Sequence, residues 1–216
     1  MNLPFTTTEF LNIFIKYNTA VWPAQIILYL SGILIVFLCF FKLKHSDFWI
    51  PFILAIFWLW MGIVYHIIFF SAINKAAVIF GAFFIIQGLL FLREAIFQKS
   101  LSFRFRLNVI HLLGLLYILY AIIIYPWWTY YLGHTYPETP LLGVPCPTTI
   151  FTFGILLWAY KKVPQILLVI PLLWSIIGFT AAFKLSMKPD LVLFPAGLLS
   201  VILIIVRNRS LKNSSQ

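Results

Sequence analysis

Seven apolar runs separated by short polar segments set the limits on what this chain can fold into. They cover 21–41, 48–71, 76–92, 107–128, 141–160, 165–183 and 191–206. A helix needs about 20 consecutive apolar residues, with a range of about 17–25, to cross the hydrocarbon of a bilayer. The first, second, fourth and sixth runs meet that length easily, the third and seventh are marginal, and the fifth is interrupted. No soluble core suits such a chain: 63% of its 216 residues are apolar and 9% charged. Soluble domains average about half and about a quarter. The sequence therefore predicts an all-α polytopic membrane helix bundle of about seven transmembrane helices, forming a single integral membrane domain over 1–216.

The net charge of +10 would suggest a nucleic-acid partner in a soluble protein. Here the basic residues lie between apolar runs, a pattern of membrane orientation that excludes nucleic acid as the expected partner. Lys42 and Lys44, then Arg93, Lys99, Arg104 and Arg106, then Lys161 and Lys162, then Arg207, Arg209 and Lys212 fall on one side of a seven-span arrangement. The other side holds only Lys16, Lys75, Lys184 and Lys188. The positive-inside rule then predicts an outer N-terminus and a cytoplasmic C-terminus. If the fifth run entered and left on one side, every later segment would flip and the bias would vanish, so a true crossing is expected. Cys39 and Cys146 fall near opposite faces and form no disulfide framework.

Thr6-Thr7-Thr8-Glu9 fits a capping box, and Phe10, Leu11, Phe14 and Ile15 follow at helical spacing. This predicts a short N-terminal interfacial helix on the outer surface. On the inner face, Phe97-Gln98-Lys99-Ser100-Leu101-Ser102-Phe103-Arg104-Phe105-Arg106 mixes aromatics with cations. It reads as a loop lying on anionic headgroups, or as a docking site for a cytosolic partner. Ala77, Gly81 and Gly88 share one face of the third run, as do Pro171, Ser175, Gly178 and Ala182 of the sixth, and both faces suit close helix packing.

No Asp, Glu, Lys or Arg sits at the middle of a run, which argues against ion pumps, voltage sensors and retinal pigments. His66 stands out, with Tyr65 beside it and Gln25 at similar depth in the first run. An interhelical hydrogen bond accounts for it, as does contact with a ligand, proton or metal. Trp58, Trp60 and Trp174 also lie deep, either packed in the core or lining a polar interior.

The segment Gly133-His134-Thr135-Tyr136-Pro137-Glu138-Thr139-Pro140-Leu141-Leu142-Gly143-Val144-Pro145-Cys146-Pro147-Thr148-Thr149 is the long break that carries no Lys or Arg. Its prolines delay regular helix to near Pro147 and suit a first turn there. A helix from there to Tyr160 spans only about 20 Å at about 1.5 Å per residue. The bilayer core is about 30 Å thick, so an extended stretch over 141–146 must cross the remainder. Such backbone is tolerated only inside protein or beside a water-filled cavity. The helix start, with Thr148, Thr149 and Thr152, either favours an anion or is a plug capped by its own threonines. The candidate is an outward-facing ligand pocket of Gln25, Tyr65, His66, His134, Glu138, Cys146, Thr148, Thr149 and Thr152.

His134, Cys146 and His66 have ligand chemistry for a metal but no supporting spacing, so neither metal nor cofactor is expected. Serine-triad, phosphate-loop and HExxH motifs are absent. A small transporter, channel or binding protein for a polar or anionic solute is the first functional reading. The second is a structural or sensory subunit that pairs with another membrane protein, or with itself, through its small-residue faces. The third is a membrane enzyme using Cys146.

Several strings carry a resemblance. They are Glu9-Phe10-Leu11 with Tyr17-Asn18-Thr19-Ala20-Val21-Trp22-Pro23-Ala24-Gln25, the 58–66 run with Phe69-Phe70, Gly81-Ala82-Phe83 with Gln87-Gly88, and 143–154 with Pro145-Cys146-Pro147-Thr148-Thr149. On these, nearly the whole chain resembles a family of small bacterial multi-pass membrane proteins grouped as a domain of unknown function, number sixty sixty-four. The resemblance implies a bacterial inner-membrane protein and supplies no activity.

Overall fold

Backbone amides that cannot reach water must pair within the chain, and helices do this most locally. The computed structural model describes residues 4–213. Its helices are α1 (Thr7–Val21), α2 (Ala24–Phe41), α3 (Ser46–Ala72), α4 (Ala77–Gln98), α5 (Val109–Tyr131), α6 (Pro145–Leu157), α7 (Ile166–Leu185) and α8 (Leu193–Asn213). A 3-10 turn at Lys188–Val192 leads into α8. No strand forms among the described residues; Phe103 with Ala159, and Leu142 with Val144, make isolated bridges.

Six helices, α2 to α5 with α7 and α8, are long and apolar enough to cross a membrane. The polytopic bundle is therefore present, and the seven expected spans divide into six of full length and the 13-residue α6. The two marginal runs are longer than their apolar cores. Helix continues through Arg93 and Glu94 in α4, and through Arg207 in α8. Arg93 is exposed, whereas Glu94 is buried and accepts from Ser100 Oγ (2.5 Å), and Arg207 turns into the bundle.

Although short, α6 reaches between opposite ends of the bundle. Just before its start, Gly143 sits against Leu28 near the beginning of α2. At its finish, the Trp158 ring packs edge-on against Phe40 at the end of α2. The Trp158 indole also donates to the His111 carbonyl at the beginning of α5 (2.8 Å). From the end of α8, Arg207 Nη1 donates to the carbonyls of Leu157 (3.2 Å) and Ala159 (2.5 Å), which a helix terminus leaves free. Every residue of α6 except Cys146 is buried. A helix too short to span, preceded by irregular backbone, cannot face lipid, so the other helices enclose it.

Small residues make that enclosure possible. A Cβ on Gly154 would stand 2.7 Å from the Gly114 carbonyl oxygen, so α5 and α6 cross nearly backbone to backbone. Gly62 and Gly81 meet in the same way between α3 and α4, while Gly88 accommodates Leu59. Gly178 faces Leu193 and Gly197 faces Ser175, which joins α7 to α8. The predicted small-residue faces thus serve contacts within the chain.

The capping box at Thr6 and Glu9 is present, and the two Thr6 donors hold the Glu9 carboxyl below its ordinary range. The buried stripe of α1 is Phe10, Ile13, Phe14, Tyr17 and Asn18, which corrects the expected set. Leu11 and Ile15 stay half-exposed, because α1 turns Phe10, Phe14 and Tyr17 onto the last turns of α3. Phe10 meets Phe70, Phe14 stacks on Tyr65, and Tyr17 packs edge-on against Tyr65 and Phe69.

The 101–106 segment also departs from expectation. Leu101, Ser102 and Phe103 are at most 1% exposed, so the chain threads into the bundle end. Alternation explains this: Arg104 and Arg106 point outward while Phe103 points in, as in a strand. Asp47 of α3 accepts from the Phe103 amide (3.1 Å) and from Ser102 Oγ (2.5 Å), and pairs with Lys42. Amides of Arg104 and Phe105 donate to Trp158 and Cys39 carbonyls, tying the segment to the exits of α6 and α2.

Substituting Gly154→Val should force α5 and α6 apart and destabilise the bundle by about 1–3 kcal/mol. Thermal unfolding in detergent measures this against Ile33→Val, at an outward-facing position 52% exposed. Equal midpoints for the two variants would refute the close crossing.

Candidate functional site

Two helices widen into π-helical turns close to one another at the α1 end, α3 over Met61–Phe69 and α5 over Tyr120–Ile124. Such turns re-aim side chains and recur at functional sites. The first carries Tyr65 and His66 inward, and the second precedes Tyr125. Between them, where α6 begins, lies a cavity of about 130 Å³. Phe10 and Phe14 of α1, Tyr65 and Phe70 of α3, Tyr125 of α5, Cys146 of α6 and Trp174 of α7 are among the residues that line it. A water molecule occupies about 30 Å³ of liquid, so the space suits a small molecule.

The walls are apolar, and polar atoms gather at one side. Asp190, 3% exposed, projects from the turn before α8 and accepts a hydrogen bond from Tyr125 Oη. The Cys146 thiol adjoins the same carboxyl and keeps part of its surface exposed to the cavity. Tyr120 Oη donates to the Pro189 carbonyl (2.7 Å), holding the Asp190 turn against α5. The Trp174 indole Nε1 proton has the Cys146 sulfur, a weak acceptor, beside it and no oxygen or nitrogen acceptor.

His66 stands behind this wall, 0% exposed, with neither ring nitrogen partnered. Tyr65, Phe70, Phe80, Phe84 and Trp174 surround it, the Trp174 ring edge-on at 5.1 Å between centroids. A buried polar group left unpaired costs about 1–3 kcal/mol, and native interiors pair most of them. The rings of His66 and Trp174 thus adjoin at the cavity wall, and of the two only Trp174 lines the cavity, where a bound molecule would find its indole proton.

The nine residues singled out from the sequence occupy different places. Tyr65 and Cys146 line the cavity, and His66 packs against its lining. Gln25 instead serves the junction of α1 and α2, where its Nε2 donates to the Asn18 carbonyl (2.8 Å). His134 and Glu138 pair with each other at 3.0 Å in the loop between α5 and α6. Thr148 Oγ1 accepts from the Gly143 amide (2.8 Å). Thr152 Oγ1 donates to the Thr148 carbonyl (2.8 Å) and accepts from Trp58 Nε1 (3.1 Å). Thr149 is fully buried with its hydroxyl unpartnered.

The start of α6 offers an anion little. Pro145 and Pro147 have no amide proton, and the Thr148 amide bonds to the Val144 carbonyl (3.3 Å). Of the first four positions, only Cys146 keeps a donor that the helix does not use, and Asp190 adjoins its side chain. Among the described residues no three His, Cys, Asp or Glu side chains come together to hold a metal ion.

Asp190 and Tyr125 escaped the sequence reading. Asp190 lies one residue before the last apolar run, between Lys188 and Leu191, where a loop position on the surface was the simpler expectation. The available signal was the Pro189-Asp190 pair, which suits the first turn of a helix. Tyr125 was one aromatic among many near a helix end.

Substituting Asp190→Ala leaves Tyr125 Oη without its acceptor inside the bundle and should lower stability by about 1–3 kcal/mol. In a double-mutant cycle with Tyr125→Phe, unfolding in detergent should give a coupling above about 0.5 kcal/mol. Additive effects would show that the pair does not interact.

No curated protein matches this chain, and no solved structure does. A family model does match, over residues 7–215. Its description is a family of unknown function, DUF6064, and the chain belongs to that family.

Proposed function

We propose that this protein is a binding protein of the bacterial inner membrane, in one domain over 1–216. It takes a small, mainly apolar molecule with one uncharged hydrogen-bonding group into the cavity between α1, α5, α6 and α7. The observation that carries this reading is the Trp174 Nε1 proton, which has only the weakly accepting Cys146 sulfur beside it in an apolar wall near the Tyr125–Asp190 pair. In a dry, apolar space a single hydrogen bond discriminates strongly, because the unpaired alternative is costly.

Anionic solutes suit the cavity less. A buried acid adjoins it, and the amides that would attract an anion are absent or bonded at the start of α6. Conduction is also disfavoured, since Phe57, Trp58, Phe151 and Phe153, each 0% exposed, fill the bundle around α6. The partner-subunit reading loses its motivation because the glycine faces pack within the chain. Cys146 borders the cavity with Asp190 as neighbour, and we assign it to binding rather than catalysis. The excess of Lys and Arg at the 99–108 end supports a cytoplasmic position for that end and an outward position for the cavity.

Cys146 reports on occupancy, because Cys39 is 0% exposed. In detergent, 4-propylphenol should slow N-ethylmaleimide labelling of Cys146 saturably, while acetate and phosphate should not. Removing the indole proton with Trp174→Phe should weaken that protection roughly tenfold, the equivalent of one hydrogen bond. Protection by the anions alone, or equal protection in Trp174→Phe, would overturn the reading.

A further inference from the structure

A second hollow, of about 260 Å³, opens on the bundle surface between α4 and α7. Its edge residues Phe83 and Leu173 are 43% and 47% exposed, so it belongs to the apolar belt that faces lipid. It shares Phe80, Trp174 and Ile177 with the cavity at the start of α6. One layer of side chains therefore lies between the two hollows, and within it Phe80 and Trp174 meet edge-on at 5.7 Å. Ile177 and Thr180, both on the exposed side of α7, also border the cavity.

The Trp174 indole belongs to this same layer. Its Nε1–H has only the weakly accepting Cys146 sulfur beside it, while the adjoining imidazole of His66 has a ring nitrogen able to accept. A swing of the indole toward His66 would exchange the weak acceptor for a stronger one and part the layer. Gly178, one turn along α7, presents no side chain that would obstruct this movement, its nearest α7 neighbour being the Trp174 indole itself.

We infer that ligands enter the cavity sideways from the bilayer, through the seam between α4 and α7, with Phe80 and Trp174 as the gate. The ligand class is accordingly a membrane-dissolved molecule with an apolar body and a small uncharged head, rather than a solute delivered by water. This inference rests on the binding function proposed above. Lipid and cavity wall are similarly apolar, so the gain on entry comes from the head group reaching the hydrogen-bonding atoms near Trp174 and Cys146.

The test compares two thiosulfonates in proteoliposomes, hexyl methanethiosulfonate and a permanently charged ammonium analogue confined to water. Adducts on Cys146 are quantified by peptide mass, and each rate is normalised to the same reagent's rate with a free thiol. The hexyl reagent should react at least about tenfold faster than the charged one, since each buried methylene favours the membrane. Ile177→Trp, which fills the seam from its exposed side, should slow the hexyl reagent, and Trp174→Ala should hasten it. Equal normalised rates, absence of labelling by either reagent, or indifference to Ile177→Trp in a protein of unchanged melting temperature would overturn lateral entry. Failure here with intact 4-propylphenol protection in detergent would remove the route and keep the binding function. Loss of that protection would remove the binding function itself.

Discussion

The irregular backbone between α5 and α6 is the constraint on which the remainder of this bundle depends. Over 139–144 it runs almost wholly inside protein, where each unpaired carbonyl or amide is costly, so side chains must serve it. Asn18 Nδ2 donates to the carbonyls of Pro137 (2.6 Å) and Thr139 (2.8 Å), and Tyr17 Oη donates to that of Gly143 (3.1 Å). Trp60 Nε1 in turn donates to Tyr17 Oη (2.7 Å), and Gln25 fixes the Asn18 backbone. These bonds explain why α1 packs into the bundle and why its buried stripe ends in polar residues. They also explain the cavity: helix α6 starts late, at Pro145, and the volume beyond that start is closed by aromatic rings of α1 and α3.

That cavity concentrates features that a purely structural bundle would avoid. A carboxyl, a thiol, an indole and an imidazole adjoin one another among aromatic rings, and two π-helical turns aim residues toward them. Along α6, Thr152 pairs with Trp58 and Thr148 with Gly143, while the Thr149 hydroxyl stays unpartnered. The bonded Thr148 and Thr152 belong to the supporting core, and the groups beside the first turn of α6 make the proposed site.

Much of this architecture was legible in the sequence because lipid imposes simple rules. Run lengths gave the helices, Pro145 and Pro147 gave the late start of α6, and the glycine spacings gave the close crossings. Thr6 and Glu9 announced α1. The site was less legible, because a pocket depends on which loop residues fold inward. Asp190 reads as a surface acid beside Lys188 until the α8 turn is seen to press it against Tyr125. Gln25, His134 and Glu138 share the polar character expected of a pocket, and yet support the loop and the α1–α2 junction. The 101–106 segment misled through its cations, whose outward alternation concealed buried Phe103.

The bonds from Tyr17 and Asn18 join residues 119 to 126 positions apart in the chain. During synthesis α1 emerges before the segment whose carbonyls it must serve, with four further helices between them. The wall that α1 gives the seat of α6 therefore closes only after that segment is made. A fault in that step would leave the long helices inserted and the cavity unroofed.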